Sequence, residues 1–126
     1  MSHIRTCTVQ IQNPSTDIIN EALQHLARLN GMTVSSEITN YFGTTRISGI
    51  VNGIKGGKLR TGYGIIIKDG AIDVVGDDMQ AISPNEMSKM VNQAYKAVVY
   101  SRAMSRNGFR PQIVQQQKQV MVVGQQ

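Results

Sequence analysis

The sequence predicts an α+β fold: an antiparallel sheet of about five or six strands with two helices packed on one face. Three observations carry that expectation. Ser83 to Gly108 reads as one long helix with both ends marked, and Asp69-Gly70 reads as a two-residue turn between two apolar runs. The third is the order of elements (strand, helix, three or four strands, helix, strand), which is close to a split βαβ plan with extra strands.

The first strand comes from alternation between His3 and Gln12, with Cys7, Val9 and Ile11 on one face and Thr6, Thr8 and Gln10 on the other. Asn13-Pro14-Ser15 stops it and caps a helix from Ser15 to Leu29. Its apolar stripe is Ile18, Ile19, Ala22, Leu23, Leu26 and Leu29, and Asn30-Gly31 ends it. Met32 to Thr39 is expected to be the second strand. Tyr41-Phe42-Gly43 then makes a turn, Arg46 to Ile54 reads as a glycine-broken strand, and Gly53 to Gly64 as a flexible basic loop.

Around Asp69-Gly70 the implied register sets Ile67 against Ile72 and Ile65 against Val74, with Ile66 opposite Asp73 on the other face. The long helix opens on a capping box, Ser83-Pro84-Asn85-Glu86, with proline where a missing N–H costs nothing. At about 100° per residue, Met87, Met90, Val91, Ala94, Ala97, Val98 and Ser101 share one side. Asn85, Lys89, Asn92, Lys96, Arg102 and Arg106 share the other. Asn107-Gly108 supplies the stop. The tail, residues 112–126, is expected to be an edge strand with Val120 to Val123 at its heart, or to be partly disordered, the glutamine run before it serving as a turn or polar edge.

At 126 residues the chain is read as one domain, and its 17% charged and 40% hydrophobic composition belongs to globular chains, not disordered ones. No apolar run approaches the length of a membrane span, and the N-terminus has no signal-peptide core, so a cytoplasmic location is expected. The lone Cys7 forbids an internal disulfide. Net charge is +5, and every one of the eight acids lies at or before Glu86. Such one-sided placement is a footprint of a polyanion surface, and equally of charges arranged along a helix dipole.

No motif declares a chemistry. Gly53 to Leu59 is similar to a phosphate loop, but Leu59 stands where the magnesium-holding hydroxyl belongs and no helix follows. Gly53-Ile54-Lys55-Gly56 fits the tetrapeptide of a KH-type clamp without its flanking helices. Arg60 to Ile67 resembles the stacking strand of an RNA-recognition motif with one aromatic instead of two. His3, Cys7 and His25 are too few for a closed zinc site, and Asp73, Asp77 and Asp78 read as solvated acids that could at most hold a hard cation. Neither a catalytic triad nor an acid–base pair stands out, so no enzyme, metal, cofactor or small-molecule substrate is expected.

Taken together, short pieces of the chain resemble the small plastid ycf35-type domain family, whose function is uncharacterised. They are the Met1-Ser2-His3 start, Ala22-Leu23, the Gly62-Tyr63 hairpin, Gln93-Ala94-Tyr95, Gly108-Phe109 and the closing Val120 to Val123 strand. The family's aromatic-rich strand end is missing, since Val74-Val75-Gly76-Asp77 has no tryptophan. The resemblance implies a fold and no activity. A small basic chain without catalytic motifs also fits a virus-encoded protein.

The expectation is therefore a non-enzymatic binding or accessory protein, foremost a self-associating protein–protein module, a dimer or larger. Its interface residues would be Val99, Tyr100, Val120, Met121, Val122 and Val123. The alternative is sequence-tolerant binding of DNA or RNA through Lys55, Lys58, Arg60, Lys89, Lys96, Arg102 and Arg106.

Overall fold

A computed structural model of the chain describes residues 4–9, 11, 13–116 and 119–125. Met1-Ser2-His3, Gln10, Gln12, Gln117, Lys118 and Gln126, some of which enter the readings above, lie outside the described residues. The chain opens with β1 (Ile4–Val9) and α1 (Thr16–Asn30), then runs through β2 (Thr33–Ser35), β3 (Asn52–Gly56), β4 (Leu59–Lys68) and β5 (Ala71–Asp77). It ends with α2 (Pro84–Arg106), β6 (Arg110–Gln116) and β7 (Gln119–Gln125). The first five strands make one antiparallel sheet in the order β1-β5-β4-β3-β2, and β6 and β7 pair as a second, two-stranded sheet.

The helices form where local chemistry dictates. Ser15 caps α1 by accepting from the Ile18 amide, and Gly31 at φ 65° closes it. Ser83 caps α2 by accepting from the Glu86 amide at 3.1 Å, with Pro84 at the first helical position. At the far end the Phe109 amide donates to Met104 O and the Gly108 amide to Ser105 O, the paired bonds of a Schellman stop. The two helices lie side by side on one face of the five-stranded sheet, α1 over β2 and β3, α2 over β1 and β5. The β6–β7 hairpin packs along α2 and reaches α1 with β6. One apolar cluster runs through all the layers, from Val9 and Leu23 through Ile65, Ile72 and Val98 to Ile113 and Val120.

The β4–β5 register agrees with the sequence reading residue by residue: Ile67 opposite Ile72, Ile65 opposite Val74 and Ile66 opposite Asp73. Its turn has positive φ at both Asp69 (53°) and Gly70 (74°), the mirror-image geometry that matches strand twist.

Four expectations are corrected. The second strand covers three residues, not Met32 to Thr39. Arg46 to Ile54 is not a strand: a single bridge joins Thr39 to Arg46, and β3 begins at Asn52. Gly53 to Gly64 is no flexible loop but the β3–β4 hairpin, turning at Gly57-Lys58. Of the glutamine stretch, the described Gln112, Gln115 and Gln116 are no turn but part of β6, paired with β7.

The glycines that disguised β3 and β4 have a packing reason. Gly53 and Gly64 are cross-strand partners on the face away from the helices. A Cβ on Gly53 would stand 2.6 Å from Ile38 Cγ1, and one on Gly64 would stand 2.5 Å from Ile50 Cγ2. The bare strip thus seats the long connection between β2 and β3 directly on the sheet, and Ile38 is fully buried there. The same connection is pinned at its middle by Asp77. That carboxylate, 2% exposed, accepts from the amides of Tyr41 (2.8 Å) and Met79 (3.0 Å).

Candidate interaction surfaces

The tail hairpin exposes a strand edge. Pro111, Ile113 and Gln115 in β6 and Val120, Val122 and Gly124 in β7 turn toward the helices, so Ile113 and Val120 are buried. The opposite parity puts Val114, Met121 and Val123 outward among glutamines, with Val123 42% exposed. Backbone directions follow from one bond. The Val120 amide donates to Gln93 Oε1 at 2.9 Å, so it points away from β6. Alternation then points the amides of Val122 and Gly124 the same way. Pro111, which has no amide hydrogen, sits opposite Gly124, consistent with that pattern.

The two edges of the hairpin differ. On the β6 side Arg28 Nη2 donates to Ile113 O at 3.3 Å, and Asn30 and Gln115 exchange amide bonds of 3.0 and 2.9 Å. On the β7 side, among the described residues, only Gln93 reaches the backbone, and β7 carries no charge and no proline. Tyr100, seven residues beyond Gln93 and so on the same row of α2, is 67% exposed. Val120, Met121, Val122 and Val123 thus share β7, and Tyr100 shares the helix row that meets β7 at Gln93. Val99 lies elsewhere, in a shallow hollow with Ile18, Glu21 and Arg102.

The basic positions do not form one surface. Lys55 and Arg60 lie on the sheet face away from the helices. Lys58 lies in the β3–β4 turn, on the rim of a cleft of about 460 Å³ shared with Leu29, Met32, Glu86 and Met90. Lys89 and Lys96 border β1 beside Thr8. Arg102 is paired with Glu21 at 3.3 Å, and Arg106 sits in the last turn of α2 near Val99 and Ser105. Duplex binding by both groups at once would have to wrap around the domain.

Two motif readings fail on burial. Tyr63 is fully buried and donates its hydroxyl to Ile82 O at 2.6 Å, so it offers no ring to a base. Burial, with Asp77 next, holds its pKa well above the usual tyrosine value. Gly53-Ile54-Lys55-Gly56 is strand β3, with Ile54 in the core, so it is no phosphate clamp. The three acids also separate: Asp73 accepts from Thr8, Asp77 holds the Tyr41 turn, and Asp78 lies 3.5 Å from Arg5. Among the described residues no group of three metal-ligating side chains gathers, and no helix is long and apolar enough to cross a membrane.

Sequence reasoning missed a second surface. The chain from Thr39 to Arg46 folds into a tight turn held by Asn40, whose Oδ1 accepts from the amides of Thr44 (2.9 Å) and Thr45 (3.1 Å). Tyr41 and Phe42 project from it edge to face at 5.1 Å, and the Arg60 guanidinium lies 3.8 Å over the Tyr41 ring. Phe42 is 75% exposed. The available signal was an adjacent aromatic pair before glycine in a chain with 5% aromatic residues.

Comparison with protein-family models, curated proteins and solved structures finds no match to this chain.

Proposed function

We propose that the protein is a non-enzymatic, self-associating interaction module, in which the outer edge of β7 pairs with the same edge of a second copy. The observation that carries this reading is the uncharged β7 edge, open beyond Val120, with exposed Tyr100 on the helix row that meets it at Gln93. Free edges of this kind are usually blunted by charge, proline or a bulge, and this one has none. Edge-to-edge pairing about a two-fold axis would extend the hairpin into a four-stranded sheet across two copies. Met121 and Val123 would then meet their counterparts on its outer face, and Tyr100 would cover the seam.

Multi-angle light scattering on the purified protein tests this. The unmodified chain is expected at twice the mass of one copy or more, and Val123→Lys or Tyr100→Glu at the mass of one copy with unchanged helix content. A unit mass for the unmodified protein at every concentration would refute the reading. The second reading, nucleic-acid binding, is favoured by one observation only, the aromatic turn beside Arg60.

A further inference from the structure

We propose that the Thr39–Arg46 turn, with Arg60 and Lys55, is a stacking platform for single-stranded nucleic acid. The inference is independent of self-association, since the turn and β7 lie on opposite sides of the helix layer.

The turn is built to hold its rings outward. Asn40 closes the loop through the Thr44 and Thr45 amides, the Asn40 amide donates to Thr45 O at 2.9 Å, and buried Asp77 anchors the Tyr41 amide to the sheet. Little conformational freedom remains to be lost on binding, which is what preorganisation means. Tyr41 has Arg60 over one face and meets Phe42 in a T-shaped contact, and the more open ring is Phe42.

Two cations belong to this side of the sheet. Lys55 lies beside Gly62, where a Cβ would meet its own Cβ at 2.6 Å, and Arg60 is two residues away on the same strand. The nearby acids are engaged: Glu37 with Arg46 at 3.1 Å, Asp78 with Arg5 at 3.5 Å, and Asp77 with backbone amides. A protein interface centred on Phe42 would want a broad apolar surround depleted of charge. What lies beside it here is Tyr41 with the Arg60 guanidinium over its ring, and Lys55 on the strand paired with that of Arg60. One exposed ring with two cations on its side of the sheet matches the pattern of sequence-tolerant single-strand binders, where bases stack and basic groups track the backbone. A duplex keeps its bases inside and offers the ring nothing to stack on.

Fluorescence polarisation with labelled oligo-dT, oligo-U and a duplex of equal length, at low and moderate salt, is the test. The single strands should bind better than the duplex. Phe42→Ala should weaken them by about five-fold to a hundred-fold, the range that stacking of one base supplies. Its melting curve should match the unmodified protein's, because the ring is exposed. Lys55→Ala with Arg60→Ala should flatten the salt dependence by about 0.7 in log–log slope for each phosphate contact removed. Absence of single-strand binding at low salt would overturn the proposal and leave the turn to a protein partner. Equal affinity of Phe42→Ala, or a duplex bound as tightly as the single strands, would overturn it as well.

Discussion

Replacing Gly53 with alanine should destabilise the protein, although glycine-to-alanine exchange in an open strand stabilises by about 0.5–1 kcal/mol. The sign reverses because the added methyl has nowhere to go. It would lie 2.6 Å from Ile38 Cγ1, 2.9 Å from Ile38 Cδ1 and 2.9 Å from Ser35 O. Overpacking of this kind costs about 1–3 kcal/mol, and expelling Ile38 from its fully buried seat would cost about 1.5–3 kcal/mol. Whichever of the two occurs, the propensity gain of about 0.5–1 kcal/mol leaves a net loss of up to about 2.5 kcal/mol. For a chain of this length that lowers the thermal midpoint by up to about 10 °C, read by circular dichroism. The double variant with Ile38→Ala should lose less than the sum of the single losses, since two of the three close contacts of the methyl are then gone. An unchanged or raised midpoint for Gly53→Ala, or strict additivity, would refute the seating of the β2–β3 connection on the glycine strip.

Gly70→Val puts a β-branched residue at φ 74° and should cost at least about 1 kcal/mol in a denaturant titration. Ser83→Ala removes the oxygen that caps α2 and should cost about 1 kcal/mol by the same measurement. His25 introduces a pH dependence. Partial burial first, then the Arg28 guanidinium, lower its pKa against a smaller opposing effect of Glu21, and the 3.1 Å contact with Arg28 Nη2 needs Nδ1 unprotonated. The folded state therefore holds this proton less tightly than the unfolded chain, so stability falls as pH drops below about 6.5 toward the lowered value. His25→Gln should remove that part of the decline in midpoint, and an identical pH profile would contradict it.

Local rules wrote the parts that were legible. The α2 ends are set by Ser83, Pro84 and Gly108, and the β4–β5 register by Asp69-Gly70, all within a few residues of the structure they produce. The same holds for the apolar stripe of α1. The β3–β4 hairpin was hidden because Gly53, Gly62 and Gly64 look like loop residues until the packing of Ile38 and Ile50 is known, and that packing is long-range. Strand β6 was hidden because its inward positions alternate Pro111, Ile113 and Gln115, with a glutamine satisfied by Asn30 in place of an apolar residue. Of the residues proposed to interact, Tyr100 stands out in the sequence as an apolar break and the β7 valines as an uncharged strand. The Tyr41–Phe42 turn does not, because its partner Arg60 lies on another strand and Asp77, which holds it, looked like one of three solvated acids.

Hydrogen exchange at the β7 amides tests self-association most directly. In a single copy the amides of Met121 and Val123 point to β6 and those of Val122 and Gly124 point outward. Paired copies should protect Val122 and Gly124 as well, and the protection should rise with protein concentration. Fast exchange at both outward amides, independent of concentration, would contradict it.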